Sequence, residues 1–332
     1  MYNYGETSNP APWYAQRASI ESVNIKIGVT TIGDSAFYDC SNMTSVHIPK
    51  GVTTIGQCAF AKCVKLSSVT IPVSLTQIGI NAFYLAKGLQ TVFWNAQACK
   101  DVASSSYPQG PFFSSGCTSI VFGNEVEYIP AYLCQWTDIK SVTFGKNLRE
   151  IGKEAFVRCD DITAPLIFPD KVETIGDGAF RECHKVPSIT FNENLKEIGY
   201  QSFKDCDSVK SIVIPNSVHT IDYMAFSYCE KLSSVTIGEA VTYIGTYAFQ
   251  LSPLKSVVWN ARNYKGFETG DYTPFAGIKT ISSFVFGDKV KRISGELCAG
   301  MYKLTSVTIP ASVETIGKNA FRSEERRVGK EC

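Results

Sequence analysis

The sequence predicts an α/β solenoid of about a dozen stacked coils of 23 residues. Each coil is expected to hold a short helical segment and a short strand, with the strands forming one parallel sheet. Two observations carry this: Ile-Gly recurs in constant phase along the chain, and within each unit the apolar spacing changes from helical to alternating. Ile-Gly, or its equivalent, stands at Ile32, Ile55, Ile78, Ile151, Ile175, Ile198, Ile221, Ile244 and Ile316. Within unbroken runs the steps are 23 or 24 residues.

The unit beginning at Ile32 shows how each element is read. Ile32, Ala36, Phe37, Cys40 and Met43 lie along one face of a helix. Val46 and Ile48 then alternate with Ser45 and His47, the period of a strand. Pro49 ends that strand and Gly51 lies in the turn to the next unit. One such unit buries too little apolar surface to offset its chain entropy, so neighbours must cover both of its flat faces.

Two units are longer, and they correspond. Trp94-Asn95-Ala96 opens a segment ending at Pro111-Phe112-Phe113, and Trp259-Asn260-Ala261 opens one ending at Pro274-Phe275. The pattern restarts at Ile129 and Ile293, so a block of several coils has been duplicated. The irregular coils span about 94–128 and 259–292.

The consensus Ile-Gly-x-x-Ala-Phe-x-x-Cys-x-x-Leu-x-x-Val-x-Ile-Pro stands here as Ile55-Gly56, Ala59-Phe60, Cys63, Leu66, Val69 and Ile71-Pro72. It resembles the BspA-like leucine-rich repeat, over about residues 29–321. The resemblance implies a leucine-rich-repeat solenoid from a bacterial or protist surface protein that adheres to host or microbial proteins or glycans. It carries no fixed set of binding residues. Residues 1–28, with Trp13-Tyr14, Ile20, Val23 and Ile25, resemble the remnant of an N-terminal module and its junction or cap. Residues 322–332 leave the pattern and resemble the in-frame translation of a sequencing-library adapter, a non-native tail. On this reading the natural array runs past Phe321, and its exposed end coil frays or associates.

The bulk chemistry narrows the function classes. The chain has 332 residues, a formal net charge of +1 and no run of one sign. A nucleic-acid partner needs a concentrated basic face, which is missing. No apolar stretch reaches the roughly 20 residues of a membrane span, and no signal peptide is legible at Met1–Pro10. A cell-surface or secreted location therefore rests on the resemblance alone.

Catalysis is not expected, and no cofactor or metal is. His47, His184 and His219 sit at variable positions of different coils, with no placed nucleophile. Cys40, Cys63, Cys159, Cys183, Cys206 and Cys229 share one phase, where Ala86 and Ser252 substitute. Small residues in that slot point to buried inert thiols, although stacked disulfides between coils stay open. Cys99, in an irregular segment, is the candidate reactive thiol.

The candidate contact residues are the outward strand positions His47, Thr70, Phe93, Thr143, Thr190, Val213, Thr236, Val258 and Thr308, mostly with Ser two residues earlier. Stacking lines them into a hydroxyl-rich strip with aromatic and aliphatic breaks, although Thr also simply suits a pleated surface. Trp94 and Trp259 occupy inward strand positions and are assigned to the core. The excursions Gln97–Gly110 and Arg262–Thr273 supply Tyr107, Tyr264, Phe267 and Tyr272 as candidate exposed aromatics. The function expected is a non-catalytic binding or adhesion scaffold. The alternative is a structural spacer, or an accessory region of a larger secreted enzyme.

Overall fold

A computed structural model describes residues 11–102, 110–266 and 273–322. Most coils contribute two short strands on different sides of the stack. One set is two residues long and ends on the isoleucine of Ile-Gly, as in Thr31–Ile32, Thr54–Ile55 and Gln77–Ile78. The other runs two to four residues, as in Ser68–Ile71, Thr91–Trp94 and Ser119–Phe122. All pairings are parallel and join equivalent repeat positions: Thr70 opposes Phe93, which opposes Val121. Ile151 opposes Ile175 in the same way on the other side. The expected single sheet is thus two parallel ribbons, each broken into segments.

The expected helical segment is absent. The only helix among the described residues is a 3₁₀ turn at Tyr14–Ser19, ahead of the first coil. In its place each regular coil makes a double turn with two left-handed residues four apart, such as Ser35 (φ 52°) and Asp39 (φ 58°). The amides of Ser35, Phe37 and Asp39 donate across to the carbonyls of Gln57, Ala59 and Ala61, each at 2.8 Å. Those of Ala36, Tyr38 and Cys40 donate back three residues within the coil.

Packing explains the substitution. Phenylalanines of adjacent coils stack with centroids 5.3 Å (Phe37–Phe60), 5.2 Å (Phe60–Phe83) and 5.1 Å (Phe156–Phe180) apart. Neighbouring helices need about 8–10 Å between axes, so no helix fits on that side. The helical spacing still identified the inward residues: Ile32, Ala36, Phe37, Cys40 and Met43 are all buried.

The glycine of Ile-Gly answers to the same close stacking. A Cβ on Gly79 would lie 2.3 Å from the Gln57 backbone nitrogen, and one on Gly56 2.4 Å from Asp34 Oδ1. Only a residue without a side chain lets the coils approach this far.

Both irregular coils keep the core column continuous. Phe112 stacks 5.3 Å from Phe83, and Phe275 5.4 Å from Phe249. Trp94 and Trp259 are fully buried, so the reading of them as core holds. Asn95 and Asn260 follow them, and each side chain occupies the space a Cβ would need on Gly123 or Gly287.

The two ends of the stack differ. At the start, Trp13 stacks on Phe37 at 5.5 Å and its indole Nε1–H donates to Ala36 O at 2.8 Å. Within the array that role belongs to the phenylalanine amide of the preceding coil: Phe37 N–H donates to Ala59 O. Trp13 thus supplies the ring and the donor of a missing coil. At the other end Ile309, Ile316 and Phe321 are exposed, although their counterparts inside the array are buried.

Candidate functional site

The outward positions of the longer strands form one row along the molecule. Strand pairing sets them side by side: Asn24 with His47, Thr70 with Phe93 and Val121, Thr143 with Val121. Ile167 pairs with Thr190, and Val213 continues through Thr236 and Val258 to Val285. His47, Thr70, Phe93, Thr143, Thr190 and Thr308 are exposed, and Thr236 is half-buried. Thr308 lies in the last coil, outside any strand.

The row is more apolar than the sequence suggested. Ile167 and Val213 are each 63% exposed, Val285 52% and Phe93 42%. Val121, Ile167 and Val285 were missed because their coils depart from the 23-residue step. Ile151 to Ile175 spans 24 residues, and the extra residue moves the outward position by one. Counting backward from Ile175 rather than forward from Ile151 would have found Ile167.

Of the excursion aromatics, Tyr107, Phe267 and Tyr272 lie outside the described residues. Tyr264 is not exposed: it is 2% accessible, with its ring 5.1 Å from Trp259 in an edge contact. It stands five residues after Trp259, where Cys99 stands five after Trp94. Both turn inward to fill the space that the irregular coil opens. The expectation of a reactive Cys99 fails for the same reason, since burial pushes its thiol up to about 12.

A second aromatic group was not anticipated. Tyr200 and Tyr223 stack at 5.4 Å on neighbouring coils, with Tyr247 edge-on to Tyr223 at 6.1 Å. Their signal was present as Ile-Gly-Tyr200 and Ile-Asp-Tyr223, in slots that carry unrelated residues elsewhere.

The periodic thiols have a structural task. Cys63, Cys183, Cys206 and Cys229 donate through Sγ to the carbonyls of Phe37, Phe156, Phe180 and Phe203, at 3.2, 3.2, 3.4 and 3.3 Å. Ser252 makes the same bond to Phe226 O at 2.8 Å. The six periodic cysteines, Cys40, Cys63, Cys159, Cys183, Cys206 and Cys229, are free of disulfides. Burial is the main cause holding these thiols protonated, raising Cys40 to about 11 and Cys229 to about 12. A thiolate nucleophile or metal ligand needs the opposite shift. His184 Nδ1 lies 2.7 Å from Asp207 Oδ2 in a half-exposed pair, with no thiol or hydroxyl bonded to it.

The BspA type leucine rich repeat region matches in six copies over residues 11–109, 162–265 and 264–326. The chain belongs to the BspA type leucine rich repeat family. A leucine-rich repeat protein from Bacteroides ovatus is 21% identical over 92% of this chain and 76% of its own, with a TM-score of 0.55. That likeness shows a shared fold. The pneumococcal vaccine antigen PcpA is 17% identical over 96% of this chain and 78% of its own, with a TM-score of 0.48. A leucine-rich repeat protein from T. pallidum is 24% identical over 57% of this chain and 78% of its own, with a TM-score of 0.41. No curated protein matches.

Membership in the BspA type family accounts for the column of Ile, Ala, Phe and Cys, which are scaffold. What distinguishes this BspA type chain is the variable slots: the outward row, the tyrosine group and the side chains flanking Ile-Gly. Among the described residues no helix is long and apolar enough to cross a membrane.

Proposed function

We propose that this chain is a non-catalytic binding scaffold of a cell-surface or secreted protein, and that the outward row of the longer strands is its contact face. One observation carries the reading. Large aliphatic side chains at Ile167, Val213, Val258 and Val285 stand exposed along a rigid parallel ribbon, interleaved with threonines. A solenoid core needs nothing apolar there, and an extended exposed apolar row is a recurrent mark of contact surfaces. The mixture suits a protein partner that lays an extended segment along the ribbon. Adhesion and surface location follow from what BspA type proteins are taken to do.

The test is a triple substitution, Ile167→Glu, Val213→Glu and Val285→Glu. It leaves the core untouched, and the melting temperature is expected to stay within a few degrees of the parent. Saturable binding to immobilised host-matrix proteins is expected from the parent and lost in the variant. Equal binding by both would remove the row from the function, and no binding by the parent would favour a passive spacer.

A further inference from the structure

Between the two-residue strands and the turns that follow runs a second feature, on a different side of each coil from the contact row. In the first three coils it forms a groove of about 640 Å³. Its floor is the line of Ile-Gly glycines, Gly56 and Gly79, which carry no side chain. Thr31, Thr54 and Gln77 form one bank, and Asp34, Gln57 and Ile80 form the other. The irregular coil closes one end with Lys100 and Asp101. That wall is anchored: Lys100 N–H donates to Thr76 O at 3.0 Å, and Asp101 Oδ1 accepts from Ala131 N–H at 2.9 Å and from the Tyr128 hydroxyl.

We propose that this groove binds a neutral linear oligosaccharide lying along the solenoid axis, about one sugar ring to each coil. The argument is by chemistry. The floor offers no backbone donor, since Gly56 N–H is spent on Ile32 O at 2.8 Å and Gly79 N–H on Ile55 O at 2.7 Å. A peptide strand therefore cannot add to it by main-chain bonding. The carboxylates of Asp34 and Asp101 outnumber the one cation of the lining, Lys100, which disfavours anions such as sulfated glycans or nucleic acid. Both already accept hydrogen bonds, Asp34 Oδ1 from Gln57 N–H at 2.7 Å, which weakens their pull on a cationic peptide.

What remains is a row of neutral polar side chains. The side chains of Thr31, Thr54, Gln57 and Gln77 form no hydrogen bond with other described residues, their backbone groups alone being bonded. Each hydroxyl or amide both donates and accepts, which matches sugar hydroxyls. Ile80 supplies an apolar surface for the C–H face of a ring. Coils rise by about 4.8 Å, the spacing of neighbouring strands, which is close to the length of one pyranose ring in an extended chain. Further along, the same banks carry the charged Glu150, Glu197, Lys153 and Asp177 beside the neutral Thr220, Tyr223 and Thr246, whereas the groove itself lies over the first three coils.

The test titrates the full chain with β-1,4-linked hexasaccharides of glucose, xylose and mannose, followed by calorimetry and by saturation-transfer NMR. A heparin hexasaccharide and a lysine-rich peptide serve as charged controls. Saturable binding of at least one neutral hexasaccharide is expected, weakened about tenfold by Thr54→Val with Gln77→Ala, as two lost hydrogen bonds would give. Thr174→Val with Glu197→Gln, on the same bank further along, should leave it unchanged, as should the triple substitution in the contact row. Circular dichroism confirms that each variant is folded. The inference is overturned if no neutral hexasaccharide saturates the protein, if the Thr54/Gln77 variant binds as the parent does, or if heparin or the peptide binds more tightly. Because the row variant is assayed separately, failure of the groove and failure of the contact row can be told apart.

Discussion

At the scale of single residues the repeat is a set of hydrogen-bond and packing slots, each admitting a narrow range of side chains. The cysteine slot wants a small side chain, as Ala86 shows, and Cys or Ser there also donates to the phenylalanine carbonyl of the coil before, as Ser252 does. Cys206→Ala is expected to destabilise by about 1 kcal/mol and Cys206→Ser by less, measured by urea denaturation. The same thiols set a pH dependence. Their pKa is raised in the folded state, so an unfolded chain loses these protons near 9 while the folded one holds them to about 11 at Cys40 and about 12 at Cys229. Stability from this source is complete below pH 9 and falls as pH rises through those folded values. Melting temperature should drop above pH 9, and less steeply in a Cys206→Ser, Cys229→Ser variant. Trp13 has two duties that separate by substitution. Trp13→Phe keeps the stack on Phe37 and loses the bond to Ala36 O, at about 1 kcal/mol, whereas Trp13→Ala loses both.

At the scale of elements, coil spacing overrides local preference. The apolar residues of Ile32–Met43 have helical spacing, and the inward set read from it is right. The backbone nevertheless forms a double turn, because its amides bond to the next coil and the stack leaves no room for a helix. Far-UV circular dichroism should therefore show a single β-type minimum, as strand-and-turn dihedrals rather than helical ones dictate, and a strong helical double minimum would contradict the fold. Close approach also makes Gly79 sensitive: Gly79→Ala is expected to cost about 1–3 kcal/mol, the range for overpacking, since its Cβ meets backbone and not a yielding side chain. Legibility at this scale followed phase. Phe93 and Val213 were found because their coils hold to the step, while Ile167 was lost to one additional residue. Tyr264 was misplaced because an excursion leaves no period to say which side chain turns inward.

At the scale of the whole molecule the array behaves as a line of nearest neighbours. Its first coil is covered by Trp13, and its last leaves Ile316 54% exposed along with Ile309 and Phe321. Hydrogen exchange is expected to be slowest between Ile129 and Phe249, where coils are covered on both faces, and fastest from Met301 onward. Uniform protection through Phe321 would contradict this. Phe203→Ala, in the middle of the stack, should cost about 3–5 kcal/mol. It should also weaken the coils on either side, because the ring touches both Phe180 and Phe226.

The amino-acid sequence determined the solenoid, its step, the inward column, the places of the two irregular coils and the burial of both tryptophans. Each of these follows from periodic apolar placement, which a linear chain displays openly. Only the tertiary structure decided that the turns are not helices, that the strands make two ribbons, that Val121, Ile167 and Val285 join the outward row, and that glycines line a groove beside Thr54 and Gln77. Those features arise between coils, from a spacing of about 5 Å and from which side chains it sets next to one another.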